Sequence, residues 1–156
     1  MKLEDLENEV QKLIKNTVMY CYQCGKCSGS CPTTKVCPSY NPRRIAESLI
    51  LGRWKEVLSS NEIWLCTLCH TCYENCPQNV GFSHVIIELR NIAARAGAAP
   101  DEFLSRVRQL AEVGRIAVIS KAIERRRSEL SLPELQASPD GIPRIMEATG
   151  LKLREG

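Results

Sequence analysis

The sequence predicts an all-α protein: two repeated halves, with further helices flanking them at both ends. Three observations point there. Asn16-Thr17-Val18-Met19-Tyr20-Cys21 returns 45 residues later as Asn61-Glu62-Ile63-Trp64-Leu65-Cys66, and Gly52 and Gly97 keep that offset. Between and beyond these stretches, apolar residues recur three and four apart, the period of an amphipathic helix. No convincing strand pair occurs in the first hundred residues. The 156 residues fit one domain, divided into an N-terminal helix (1–15), a duplicated core (16–97) and C-terminal helices with a tail (98–156).

Taken in order, residues 2–15 read as a helix with Leu3, Leu6, Val10, Leu13 and Ile14 on one face. Such a face packs on the core or docks on a partner. Each half then runs as a short helical lead-in, a cysteine-rich loop and a helix. In the first half Asn41 is a good N-cap, Pro42 suits the first helical position and Gly52 follows the end. Ile45, Ala46, Leu49 and Ile50 form its apolar stripe, and a short helix over about 53–59 carries Trp54, Val57 and Leu58. In the second half Ser83 is the expected cap of a helix reaching about Ala96, with Val85, Ile86, Leu89, Ile92 and Ala93 apolar. Asp101 starts another helix, Gly114 interrupts it, and a further helix is expected from about Ile116 to Leu130. Residues 132–143 hold three prolines and one glycine and read as an extended linker before a last turn at 145–150.

Eight of the nine cysteines fall in two matching runs. The first is Cys21-x-x-Cys24-x-x-Cys27-x-x-x-Cys31-Pro32, and the second is Cys66-x-x-Cys69-x-x-Cys72-x-x-x-Cys76-Pro77. This spacing is a ligand set for iron–sulfur clusters in bacterial two-cluster ferredoxins, where the fourth cysteine ligates the other cluster. By that rule one [4Fe–4S] cluster takes Cys21, Cys24, Cys27 and Cys76, and a second takes Cys66, Cys69, Cys72 and Cys31. Gly25 lies inside the first loop, where close backbone approach and positive φ are needed. Structural zinc asks for four ligands per site, and a zinc ribbon uses two separated C-x-x-C pairs; neither requires a third and fourth cysteine at identical spacing. A disulfide framework suits short secreted chains with even cysteine counts. Here the count is odd, and Met1-Lys2-Leu3-Glu4-Asp5 is acidic without the apolar segment of a secretory signal.

The formal charge of +3 treats every cysteine as neutral; eight thiolates and two oxidised cubes of about +2 each bring it to about −1. Nothing in the charge therefore argues for nucleic acid or a membrane surface. No run approaches the roughly 18 apolar residues of a membrane span. Unpaired thiols and oxygen-sensitive clusters fit a reducing cytoplasm.

Three segments carry a more specific resemblance. Cys21-Tyr22-Gln23-Cys24-Gly25-Lys26-Cys27, Pro42-Arg43-Arg44-Ile45 and Ile63-Trp64-Leu65-Cys66-Thr67-Leu68-Cys69 resemble the C subunits of heterodisulfide reductases, over roughly residues 16–97. Glu147-Ala148-Thr149-Gly150 is similar to that family's tail. The resemblance implies an α-helical ferredoxin fold and a hetero-oligomer. A flavin-bearing, iron–sulfur protein, the A subunit, would supply electrons. The B subunit would reduce the disulfide, in methanogens that of coenzyme M and coenzyme B. Related complexes of sulfur oxidisers, and glycolate- or lactate-type dehydrogenases, use similar iron–sulfur subunits. A colourless zinc-stapled binding module is the reading from another class.

Other residues draw weaker expectations. Cys37-Pro38 echoes Cys31-Pro32, but the repeat offers Phe82 at the matching place, so an idle thiol is expected. His70, inside the second loop, either faces solvent or hydrogen-bonds a cluster sulfur, and His84 has no special role. Lys26, Arg43, Arg44 and Arg53 favour cluster reduction or are solvated helix charges. Tyr20, Tyr22, Trp64 and Tyr73 are expected to wall the clusters from water. Arg125-Arg126-Arg127 reads as a wet helix surface or an acidic partner's contact. No nucleophile–base pair and no phosphate loop is visible, so the chain is expected to act as a non-catalytic relay.

Overall fold

Helices make up every regular element among the described residues, 3–136 and 138–150, of the computed structural model; Leu3 is described by its backbone alone. The all-α expectation is borne out. Lys2, the expected start of the first helix, and residues 151–156 of the tail lie outside the described residues. The chain divides into two compact units, Met1–Ala99 and Pro100–Gly156.

The first unit holds seven helices: α1 (Leu3–Asn16), α2 (Lys26–Gly29), α3 (Pro32–Val36), α4 (Pro42–Ile50), α5 (Trp54–Ser59), α6 (Thr71–Glu74) and α7 (Phe82–Arg95). Tight 3-10 turns at Val18–Tyr20 and Glu62–Leu65 lead into the two cysteine runs. The repeat survives in three dimensions. Helix α4 packs on the first 3-10 turn as α7 packs on the second, and α2 packs on α6. Helices α4 and α7 end at Ile50 and Arg95, each two residues before the glycine that the sequence marks as a stop.

Burial explains the arrangement. Val10, Val18, Leu49, Ile63, Ile86 and Leu89 are 0% exposed and form one cluster with Ile14, Ile45, Val57, Phe82 and Val85. Each such side chain contributes about 1.5–3 kcal/mol by leaving water. Leu6, Val10 and Ile14 are the buried face of α1, which lies on α7, where Glu9 also pairs with Arg95.

Caps fix the ends. The Asn41 Oδ1 accepts from the Arg44 backbone N–H at 3.2 Å and from the Ser28 hydroxyl at 2.6 Å, so one side chain starts α4 and ties the first cysteine loop to it. Replacing Asn41 by alanine is expected to cost about 1–2 kcal/mol, an ordinary cap loss plus the stranded Ser28 hydroxyl, seen as a lower denaturation midpoint.

Three start sites differ from expectation. Helix α7 begins at Phe82 after Gly81, so Ser83 lies in the first turn and its hydroxyl is spent elsewhere. In the second unit α8 (Asp101–Val113) ends at Gly114, but α9 spans only Lys121–Glu129. The reason is local: Ser120 accepts from the Ile123 backbone N–H at 3.3 Å and caps the helix there. The short α10 (Ile142–Thr149) packs on α8 and starts before Pro143, so the linker is shorter than expected. Among the described residues no helix is long and apolar enough to cross a membrane.

Candidate metal centre

The two cysteine loops repeat each other in backbone as well as in spacing. Gln23 and Gly25 have φ of 63° and 80°, and Leu68 and His70, 45 residues on, have 53° and 59°. Left-handed residues between successive cysteines reverse the chain so that it wraps around a centre. Only one of the four is glycine, so the other three hold a strained backbone. A Cβ at Gly25 would meet the Arg43 side chain at 3.8 Å, an ordinary contact. Gly25→Ala is therefore expected to cost about 1–2 kcal/mol from backbone strain alone, read from the denaturation midpoint of the cluster-loaded protein, whereas a bulk clash would cost more.

Every cysteine in the runs is free of disulfide bonds. Cys31 and Cys72 are buried, Cys24 and Cys69 exposed, and the other four lie between. The exposed pair are the middle members of their loops. In each, the backbone N–H two residues on, Lys26 or Thr71, points at the sulfur. The Lys26 N–H foremost lowers the Cys24 pKa, with help from the Tyr22 hydroxyl and the Lys26 charge. The Thr71 hydroxyl, 3.4 Å from Cys69 Sγ, foremost lowers that of Cys69. Burial acts the other way on the inner pair: it raises Cys27 and pushes Cys72 up to about 11, with the Cys66, Cys27 and Cys69 sulfurs adding to the rise at Cys72. Cys27 and Cys72 thus sit near one another on the packed helices α2 and α6.

Two tyrosines report which sulfurs share a neighbourhood. The Tyr22 hydroxyl bonds to Cys24, which raises its pKa, and Cys76 and Cys21 act in the same sense. Buried Tyr40 is raised by burial first, then by its hydrogen bond to Cys66 and by the nearby Cys31 and Cys72 sulfurs. Tyr22 thus has Cys21 and Cys24 of the first run and Cys76 of the second around it, and Tyr40 has Cys66 and Cys72 of the second run and Cys31 of the first. Further backbone N–H groups point at sulfur: Thr34 to Cys31 at 3.5 Å, Leu68 to Cys66 at 3.4 Å and Val80 to Cys76 at 3.4 Å. Gln23 adds its side-chain amide to Cys21 at 3.6 Å. Such donors stabilise thiolates and the charge of whatever the thiolates bind.

This donor set fits iron–sulfur cubes: thiolates on wrapped loops, with N–H and O–H groups directed at the sulfurs. Among the described residues no three His, Cys, Asp or Glu side chains converge closely enough to grip a single ion, as a zinc staple would require.

The remaining expected residues fall out as follows. His70 is exposed and its Nδ1 lies 2.9 Å from the buried Ser83 hydroxyl, which ties the second loop to α7. His84 packs beside His70 and Tyr73, with ring centroids 5.7 and 5.2 Å away. Tyr20 and Tyr22 are 62% and 58% exposed and Tyr73 is 40% exposed, so they are rim residues rather than core aromatics; Trp64 is half-buried. Lys26, Arg44 and Arg53 are exposed. Cys37 Sγ lies 3.1 Å from the Ser39 hydroxyl. Arg125 and Arg126 pair with Glu129, and Arg127 donates to the Pro133 carbonyl.

Sequence reasoning missed two groups at the site. Tyr40, 1% exposed, is the aromatic that does stand in the core beside the sulfurs. Arg90, on α7, donates from Nε to the Ile63 carbonyl at 2.8 Å and from Nη2 to the Cys66 carbonyl at 2.6 Å. No local signal marks Tyr40; for Arg90 the one signal is a charge where the helical period asks for an apolar residue.

Comparison with known proteins agrees with this chemistry. A family model described as a 4Fe-4S dicluster domain matches residues 8–80. The chain is 35% identical to the iron–sulfur C subunit of the CoB–CoM heterodisulfide reductase of Methanopyrus kandleri, over 85% of this chain and 71% of that one. It is 33% identical to the C subunit of the ferredoxin/F420H2-dependent CoB–CoM heterodisulfide reductase of Methanosarcina acetivorans, over 94% of this chain and 91% of that one. With the second of the numbered iron–sulfur C subunits of the Methanocaldococcus jannaschii CoB–CoM heterodisulfide reductase it shares 37% identity over 77% of this chain, spanning 63% of that relative. The chain carries two [4Fe–4S] clusters and serves electron transfer.

Proposed function

Because the chain belongs to the family of heterodisulfide reductase iron–sulfur C subunits, we propose that it is the electron relay of such a complex, passing single electrons from a flavin-bearing A subunit to a disulfide-reducing B subunit. The mixed disulfide of coenzymes B and M, in the relatives' names, is the substrate class this reading carries over. The relay is non-catalytic and works in the cytoplasm.

The observation that supports the site assignment is the company each fourth cysteine keeps around Tyr22 and Tyr40. Cys76 beside Cys21 and Cys24, and Cys31 beside Cys66 and Cys72, support one cluster on Cys21, Cys24, Cys27 and Cys76 and a second on Cys66, Cys69, Cys72 and Cys31. A bound [4Fe–4S] cluster supplies one-electron chemistry without a bond to substrate. The protein's own part is environment. Backbone N–H groups at Thr34, Leu68 and Val80 hold the sulfurs in place and offset their charge. Exposed Tyr22, Cys24 and Cys69 leave an edge of each loop open to a neighbour, as outer-sphere transfer needs. Exposed apolar side chains on the second unit, among them Phe103, Ile123 and Ile145, suit docking to other subunits.

Anaerobic purification from the native cell, with identification of what travels with the chain, tests this. Expected companions are a flavoprotein and a cysteine-rich subunit, with electrons from the flavin reducing this chain's clusters. A single chain, or a companion that oxidises glycolate or lactate, would contradict it.

A further inference from the structure

A strict repeat would give two equal sites, and the fold keeps the repeat where helices meet the cysteine loops. Around Cys66 it is broken twice. Position 90 is arginine where the first half has Ile45, and position 40 is tyrosine where the second half has Val85. Ile45 and Val85 are buried apolar core. For Ile45 and Arg90 the match holds in space as well, since they lie on α4 and α7, which each pack on the 3-10 turn ahead of their own half's first cysteine; Tyr40 lies just before α4 and Val85 inside α7, so there the match is one of sequence. At Cys66 the repeat thus substitutes a cation and a hydroxyl for hydrocarbon.

Both groups act on Cys66 itself. Arg90 grips the backbone carbonyls of Ile63 and Cys66 at 2.8 and 2.6 Å, and its guanidinium lies 5.6 Å from the centre of the Trp64 ring. The guanidinium is half-buried there and stays charged. Tyr40, 1% exposed, meets Cys66 from the opposite half of the repeat, its hydroxyl within hydrogen-bond reach of that sulfur. Reduction adds one negative charge to a cluster and its thiolates. A half-buried cation on a ligand's own carbonyl, and an O–H donor on that ligand's sulfur, favour the added charge. The first run has the Lys26 charge near Cys24 and the Tyr22 hydroxyl on that sulfur, but both residues are exposed, so water screens the one and competes with the other. Gln23 on Cys21 is a neutral donor.

We propose that Arg90 and Tyr40 are potential-setting residues for the cluster of Cys66, raising its reduction potential selectively, so that electrons in this chain favour that cluster over its twin. The proposal rests on the reading above that Cys66, Cys69 and Cys72 hold one cluster. Two side chains make the two halves unequal and give the relay a resting place on the second run.

The test is a potentiometric titration of the anaerobically purified full chain, each cluster followed by electron paramagnetic resonance. Cys69→Ser and Cys24→Ser mark which signal belongs to which run. Arg90→Gln is expected to lower the reduction equilibrium constant of the Cys69-marked cluster about tenfold or more, where tenfold is about 59 mV for one electron. Tyr40→Phe, which keeps the buried ring, should lower it several-fold, and Arg90→Lys should restore most of the loss. The Cys24-marked cluster should not move, and iron and sulfide should stay at wild-type levels. Loaded variants in which neither potential moves, or both move equally, would overturn the proposal. If Arg90→Gln fails to load, Tyr40→Phe decides it by the same test: a lowered Cys69-marked potential supports the proposal and an unmoved one overturns it. A Cys69→Ser protein that keeps both signals would instead sink the ligand assignment, a separate failure.

Discussion

Cys31→Ser is expected to lose the cluster of Cys66, Cys69 and Cys72 and to keep the one that begins at Cys21. In sequence Cys31 closes the first run, but in space it lies with Cys66 and Cys72 around Tyr40. A serine hydroxyl is a far weaker ligand for iron than a thiolate, and Cys31 is buried, so water cannot easily substitute. About half of the iron should go, together with one of two paramagnetic signals. Tyr40 and Arg90 would then face three unligated thiols, and the second loop should open first to proteolysis. Loss of the Cys21 signal instead would mean that each run holds its own cluster.

Leu89→Ala is expected to be the most damaging simple core change, costing about 2–5 kcal/mol. Leu89 is 0% exposed, on the helix that gathers α1, α5, α6 and the second 3-10 turn. Little is free to collapse into the space it leaves, because Ile86, Val85 and Ile63 of the same core cluster are already buried. Chemical denaturation of the loaded protein under argon should show the loss, with the slope unchanged. A cost under about 1 kcal/mol would mean that the clusters, not the hydrocarbon core, hold α7 in place.

How much of this was legible depends on the range of each interaction. The cysteine runs were readable because cluster ligation imposes short, fixed spacings along the chain. Helix α4 was readable because cap, proline and stop all lie within its own segment. The left-handed loop residues were half legible: Gly25 announces itself, and the 45-residue offset from it points at His70, but Gln23 and Leu68 hide the same backbone behind ordinary side chains. Ser83 has the composition of a cap, yet it serves His70, 13 residues away. Tyr40 and Arg90 were illegible because they reach Cys66 across 26 and 24 residues of chain, through packing that no local pattern encodes. The rim tyrosines failed for a related reason: sequence places an aromatic beside a cysteine but not on its wet or dry side.

The most direct measurement is iron and acid-labile sulfide per polypeptide in an oxygen-free preparation, together with a one-electron redox titration of the same sample. About eight of each, and two separable one-electron waves, are expected. Four or fewer irons, or a colourless protein that takes up no electrons, would contradict the account.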